Sequence, residues 1–476
     1  MIKNFLTKHI LEIFPYNATQ DQLNLLRKLE DFMLSDIGKS VFVLRGYAGT
    51  GKTSMIGAFV KTLHNMKVSF RLLAPTGRAA KVLSHSSGFP AFTIHKEIYR
   101  QKNSAKMFSG FGLNYNKNRD TIFIVDEASM ISNEYAPNSM FGSGRLLNDL
   151  LQFVFSRNNC KLIFIGDTAQ LPPVNTELSP ALDHTELSSM GMHVCGHEMT
   201  EVIRQARDSG ILMNATALRE RLQSDPGGIP QFSTSAYSDI GRITGNELVD
   251  TLESEYDRHG MDEVKVVCRS NKNANIYNQG IRNQILWREE ELSPGDLLMV
   301  VKNNYTWLPE KAPIDFIANG DMVEIVRLRQ TQEMYGHRYQ DAEIRFIDYP
   351  ELEIEVRLLL DTLEINSASL PAEESQKLYE EVKVDYQHLD AKKQAEAIRK
   401  DPFLNALQIK YAYAMTCHKS QGGQWHSIFI DQGYVTEDMM GVSYYRWMYT
   451  ALTRATGKVY LVNFPDDYFT DTVSDK

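Results

Sequence analysis

The chain has 476 residues, 43% hydrophobic and 23% charged. That is a globular composition, not a disordered or fibrous one, and its length suits about two to four domains. No apolar run approaches the ~20 residues needed to cross a bilayer, and the net charge of −9 counts against nucleic-acid binding except through a narrow positive channel on an acidic body.

In chain order, Met1 to Ile10 lacks an apolar core followed by a small-residue cleavage site, so it is expected to belong to the fold and not to a signal peptide. Val41–Leu44 is a short β-rich run leading into Gly46-Tyr47-Ala48-Gly49-Thr50-Gly51-Lys52-Thr53, and an apolar helical stretch (Met55, Ile56, Phe59, Val60, Leu63) follows. Strand, Gly-x-x-x-x-Gly-Lys-Thr loop and helix together read as a triphosphate cradle. Glycines let backbone N–H groups wrap phosphates, and the helix N-terminus adds a favourable dipole. Lys52 suits the β- and γ-phosphates and Thr53 suits Mg²⁺. A chance glycine-rich turn is the competing reading, and the flanking elements weigh against it.

Apolar runs at 70–75, 121–126 and 161–167 also end in polar or Gly/Pro residues, as buried parallel strands do at the edge where ligands bind. An interruption at about 84–119, rich in Ser, Gly, Asn and Lys, carries Phe108, Phe111 and Tyr115. Asp126-Glu127 closes the third run; Asp126 suits Mg²⁺ and Glu127 suits proton removal from an attacking water. Gly166-Asp167-Thr168-Ala169-Gln170-Leu171-Pro172-Pro173-Val174 closes the fourth, and Gln170 can orient that water, although a proline-stiffened loop would read the same way.

Downstream, the runs 264–268, 409–414, 427–431 and 458–462 are expected to form a second α/β sheet, split by an insert at 296–405 that starts β-like and ends in a charged helical stretch from Glu373 to Lys400. Arg204 and Arg454 are candidate cations reaching a γ-phosphate from beyond the first domain. Cys160, Cys195, Cys268 and Cys417 form no Cys-x-x-Cys pair, so neither a zinc site nor a disulfide framework is indicated, and a reduced cytoplasmic setting is expected.

These pieces, in this order, resemble superfamily 1 helicases, most closely the 5′-to-3′ branch with RecD, the phage helicase Dda and the Pif helicases. Gln22 matches the adenine-reading glutamine. The P-loop, Val125–Met130 and Gly166–Val174 match motifs I, II and III; Arg204-Gln205 matches motif IV; Thr416–Gly422 matches motif V; Tyr449–Arg454 matches motif VI. The resemblance implies two RecA-like domains, 1–83 with 120–205 and 206–295 with 406–476, closing on ATP and Mg²⁺. It places Gly46, Ala48, Gly49, Thr50, Gly51 and Gly422 among the nucleotide contacts, and Arg204 and Arg454 on opposite sides of the cleft. It implies DNA contacts at Pro75, Thr76, Arg78, Thr93, His95, His418, Lys419 and Ser420; small hydroxyls and backbone N–H groups grip phosphates without reading bases. For Thr76 and Thr93, helix capping is the plainer alternative.

By the same resemblance, 84–119 carries the pin that splits duplex, with Phe108, Phe111 and Tyr115 as candidates, and 296–405 is an SH3-like subdomain with a helical arm. An aromatic can stack on an opening base pair, and packing in a small local core is as good a reading of these three. The expected activity is ATP-driven 5′-to-3′ translocation on single-stranded DNA with unwinding of forked or 5′-tailed duplex, by a monomer acting in replication, repair or recombination. The alternatives are a DNA-stimulated translocase that remodels protein–DNA complexes with little unwinding, and a P-loop kinase whose turnover ignores DNA.

Overall fold

The computed structural model describes residues 5–101, 111–135, 141–174, 176–203, 208–309, 311–314 and 316–470. Six parallel strands form the first sheet, in the spatial order Ala91–Thr93, Ser69–Ala74, Thr121–Val125, Lys161–Gly166, Ser40–Gly46 and His193–Met199. Successive side chains of the central run serve opposite faces: Phe42 and Leu44 pack with Leu25, Leu29 and Phe59, while Val41 and Val43 pack with Leu147, Phe153 and Leu182. A strand covered on both sides has no polar face, so it reads as a continuous apolar run.

The second sheet orders Ala414–Thr416, Val264–Cys268, Trp425–Asp431, Ala455–Val462 and Ile240–Ile243, all parallel. The chain is thus α/β, with two RecA-like sheets. A closed five-stranded barrel is inserted in the second: Leu297–Val300, Met322–Met334, His337–Phe346, Glu353–Leu359 and Leu407–Tyr411. Helices Ala372–Asp385 and Ala391–Lys400 form the arm between its last two strands. Trp307 packs on the core beside the barrel, and its indole N–H donates to Asn405 O at 2.7 Å.

Three sequence expectations change. The run 409–414 is not one strand of the second sheet. Leu407–Tyr411 closes the barrel against Leu297–Val300, and only Ala414–Thr416 enters the sheet. Both halves are buried, and the alternation of Gln408 and Lys410 with Leu407, Ile409 and Tyr411 sets the barrel strand apart from the uniformly apolar residues that follow it. Helix Gly77–Ser87 and strand Ala91–Thr93 belong to the first lobe, so the interruption begins later than 84; its described part includes the hairpin of Tyr99–Gln101 with Phe111–Leu113. Two edge strands, His193–Met199 and Ile240–Ile243, are additional, their apolar pattern thinned by the polar residues that edges carry. Among the described residues no helix is long and apolar enough to cross a membrane.

Candidate nucleotide site and the surface beside it

The P-loop lies between the end of strand Ser40–Gly46 and the start of helix Lys52–Asn65. Gly49 and Gly51 adopt φ of 75° and 82°, which glycine takes at little cost. A Cβ on Gly51 would sit 2.7 Å from Ile203 Cδ1 and 2.8 Å from Gln22 Nε2. Thr50 Oγ1 donates to Tyr47 O at 2.8 Å, and Lys52 Nζ donates to Gly46 O at 2.7 Å and Tyr47 O at 2.8 Å. Thr53 is exposed on the first turn. Gln22 is buried: Oε1 accepts from Thr19 N at 3.0 Å and Nε2 donates to Thr50 O at 3.1 Å. Its amide therefore braces the loop while keeping one further donor and one further acceptor.

Asp126 follows the strand Thr121–Val125. Burial, then the neighbouring Glu127 charge, pushes its carboxyl up to about 7, against the pull of Lys52. Glu127 holds φ at 51°, with its N–H donating to Asp126 Oδ1 at 2.9 Å; such a left-handed non-glycine conformation is costly and concentrates at functional sites. Asp167, at the next strand end, is buried, which raises its pKa against the attraction of Lys52. Gln170 Oε1 is buried with no hydrogen-bond partner among the described residues. An orphaned acceptor, carboxylates sharing a lysine and a loop that excludes side chains are a donor set that fits a phosphate chain with its cation.

The second lobe reaches into this site. Tyr449, on helix Val442–Leu452, donates its hydroxyl to Asp167 Oδ2 at 2.6 Å and accepts Ala48 N–H of the P-loop at 2.8 Å. Next to it, Thr450 Oγ1 accepts Leu171 N–H at 2.8 Å, Gln421 Nε2 donates to Leu171 O at 2.6 Å, and the Arg446 guanidinium donates to Glu177 O. Arg454 is buried and donates to Thr450 O at 3.2 Å and Gly423 O at 3.1 Å, with its charge felt by Asp167. Arg204 lies outside the described residues; Ile203, just before it, donates its N–H to Gly49 O at 3.1 Å.

The residues expected to touch DNA fare differently. Thr76 and Thr93 cap helices, accepting from Ala79 N and Lys96 N, each at 3.2 Å. Three more are engaged within the protein. The Arg78 guanidinium lies 4.5 Å from the Trp425 ring centre and donates to Gln424 O at 3.0 Å, so it ties the lobes together. His95 stacks edge-on to Phe141 at 4.8 Å, and burial holds its pKa down to about 4, so it is a neutral member of an aromatic cluster. Ser420 is fully buried, with its hydroxyl donating to Cys417 O at 2.8 Å. Gly422, at φ 74°, has a packing reason of its own: a Cβ there would lie 2.9 Å from Thr76 Oγ1 of the other lobe. Pro75 is half-buried and His418 is exposed. Burial lowers both Lys419 and Lys410 to about 8, with the Lys419 charge adding to the shift of Lys410, whose Nζ donates to Ile365 O.

Of the pin candidates, Phe108 lies outside the described residues. Phe111 packs 4.9 Å from Phe141 and 4.8 Å from Tyr305 of the barrel insert, as a local core would have it. Tyr115 is exposed, with the Arg157 guanidinium 4.1 Å from its ring centre. Sequence reasoning assigned no role to Tyr449, Asp167, Gln421 or Lys410; the first three lie inside quoted motifs, and only their depth in the fold reveals their partners.

Fold and site together define a P-loop nucleotide-binding protein with a second RecA-like lobe bonded to its P-loop. Comparison with known families matches residues 21–246 to an AAA domain and residues 411–462 to a UvrD-like helicase C-terminal domain. The chain is similar to the ATP-dependent RecD2 DNA helicase of Deinococcus radiodurans, 22% identical over 89% of this chain and 47% of that one. It is also similar to the ATP-dependent DNA helicase Dda of phage T4, 24% identical over 60% of this chain and 63% of that one. It thus spans about half the length of the RecD2 relative. A Bacteroides Pif1 helicase solved with ADP-AlF3 and single-stranded DNA aligns over 95% of this chain at 14% identity, with a TM-score of 0.45. The likeness to superfamily 1 helicases that the motif order implies is borne out.

Proposed function

We propose that the chain is an ATP-driven DNA helicase that moves 5′ to 3′ on single-stranded DNA. The observation that carries this reading is the Tyr449 hydroxyl, which bonds the P-loop (Ala48) and Asp167 from the second lobe. A nucleotide-driven change at the P-loop would pass through these bonds to the helix Val442–Leu452 and to the short helix Cys417–Ser420 packed against it, which carries His418 and Lys419. A kinase needs no such link.

In this reading Lys52 leaves the Gly46 and Tyr47 carbonyls for the β- and γ-phosphates, Gln22 offers its spare donor and acceptor to adenine, and Gln170 orients the attacking water. Glu127 takes the proton of that water. Thr53 and Asp126 would hold Mg²⁺, which neutralises phosphate charge when bound. Arg204, and Arg454 once released from its own carbonyls, stabilise charge on the transferring phosphoryl group. Lys410 and Lys419 would supply local positive charge on an acidic body, with the exposed His418 imidazole, whose pKa burial lowers, and the capping hydroxyls of Thr76 and Thr93 free to donate hydrogen bonds to phosphates. Single-stranded DNA and forked or 5′-tailed duplex are the proposed partners, met by a monomer in a reducing cytoplasm. The test is ATPase activity with and without single-stranded DNA: the reading requires strong stimulation that falls steeply with salt, and turnover indifferent to DNA would refute it.

A further inference from the structure

Away from the P-loop, one cluster of ligand-type side chains has no part in the chemistry above. Glu255 and His259 stand one turn apart on helix Gly245–His259, hence on one face. His426 projects from the N-terminal end of strand Trp425–Asp431, opposite the edge where parallel sheets bind their substrates. One ligand atom from each of the three lies within 4.8 Å of the others. The two imidazoles are stacked 3.5 Å apart, 18° from parallel.

The surroundings hold this trio in place. The Glu255 carboxylate is buried and accepts from the Ser427 hydroxyl and, at 3.1 Å, from the Tyr460 hydroxyl. His426 Nδ1 lies 3.0 Å from Ser427 Oγ; since that hydroxyl donates to Glu255, its oxygen accepts from the ring. Gly457 makes room for the ring: a Cβ there would lie 2.4 Å from His426 Nε2. Carboxylate-bonding hydroxyls that fix ligand orientation are the usual outer layer of a metal site.

We propose that Glu255, His259 and His426 bind one Zn²⁺ ion, clipping the helix to the strand. Two imidazoles and a carboxylate suit Zn²⁺, whereas Mg²⁺ and Ca²⁺ want oxygen donors. Ligands about 2.0–2.1 Å from a tetrahedral ion stand about 3.3 Å apart, so the half-exposed His259 imidazole turns out of the stack to close on the ion while His426 keeps its Nδ1 bond to Ser427. Three protein ligands leave the fourth position to water.

The test uses the full chain, stripped of metal by a chelator and dialysed against Zn²⁺ in excess Mg²⁺. Bound zinc and Tm are measured for the parent, His259→Gln, His426→Gln, Ser427→Ala and, as a control, His85→Gln, with circular dichroism to confirm folding. The parent and the control should hold one zinc and gain a few degrees in Tm. The two ligand variants should lose both effects while staying folded, and Ser427→Ala should weaken binding by roughly 10–100-fold. Co²⁺ in place of Zn²⁺ should give a spectrum without thiolate bands. A parent that takes up no zinc, ligand variants that retain it, or thiolate bands pointing to a cysteine would each overturn the proposal.

Discussion

At the nucleotide cleft, Lys52 from the start of its helix and Asp126, Asp167 and Gln170 from beyond strand ends converge, and each retains bonding capacity or carries an electrostatic cost that a ligand would relieve. On the surface beside it, the hydroxyls and cations first assigned to DNA are largely engaged within the protein: Thr76 and Thr93 cap helices, Arg78 stacks on Trp425, His95 sits among aromatics and Ser420 closes a turn. Crowded carboxylates, an orphaned amide and side-chain-excluding glycines have little to do in a fold except meet a ligand. Threonine, serine and histidine have ordinary internal uses, so the same motif strength carries less information there.

Substitutions can widen or erase that contrast. Lys52→Ala should have the largest effect, cutting ATP turnover by at least about 10²–10³-fold; near-normal steady-state ATPase in that variant would break the cleft half of the comparison. Glu127→Gln should slow hydrolysis by about 10²–10⁴-fold while leaving nucleotide affinity close to parental, read by single-turnover kinetics beside equilibrium binding. Tyr449→Phe removes one hydroxyl from Asp167 and Ala48, a loss of about 1.5–3 kcal/mol for a bond to a charged group. It should reduce DNA-stimulated ATPase more than basal ATPase, and equal losses in both would show that the link carries no signal.

On the other surface the effects should be small. Thr93→Ala should cost about 0.5–2 kcal/mol of stability through the lost cap, whereas Thr93→Asn, which can still cap, should restore it; denaturant titration beside DNA binding separates capping from phosphate contact. At neutral pH the smallest effect concerns His95, whose ordinary pKa of 6.5 is held down to about 4 by burial, so its contribution appears only on acidification. Above pH 6.5 both folded and unfolded states are neutral there. As pH falls from 6.5 towards 4 the unfolded chain gains a proton that the folded one refuses, so stability declines. His95→Phe should flatten that part of the Tm–pH profile.

Much of the fold was legible because doubly covered parallel strands are apolar along nearly their whole length, as Val41–Leu44 is throughout and Val264–Cys268 is apart from the buried Lys265. What escaped has physical causes. Leu407–Tyr411 and Ala414–Thr416 are almost continuously buried but serve different sheets; the polar residues Gln408 and Lys410 mark the barrel strand, and hydrogen-bond register fixes where it ends. His193–Met199 lies at an edge and lacks the apolar signature. In the site, glycine spacing and the Asp-Glu pair could be read directly, since their chemistry depends on local sequence. Tyr449 could not, because its importance rests on two partners, Ala48 and Asp167, that are distant in the chain.

The most direct test of the central claim is strand separation of a duplex carrying one single-stranded tail, with ATP and Mg²⁺. The account predicts unwinding from a 5′ tail and little from a 3′ tail. Efficient unwinding from the 3′ tail alone would contradict the direction, and no separation from either tail despite DNA-stimulated ATPase would contradict the helicase.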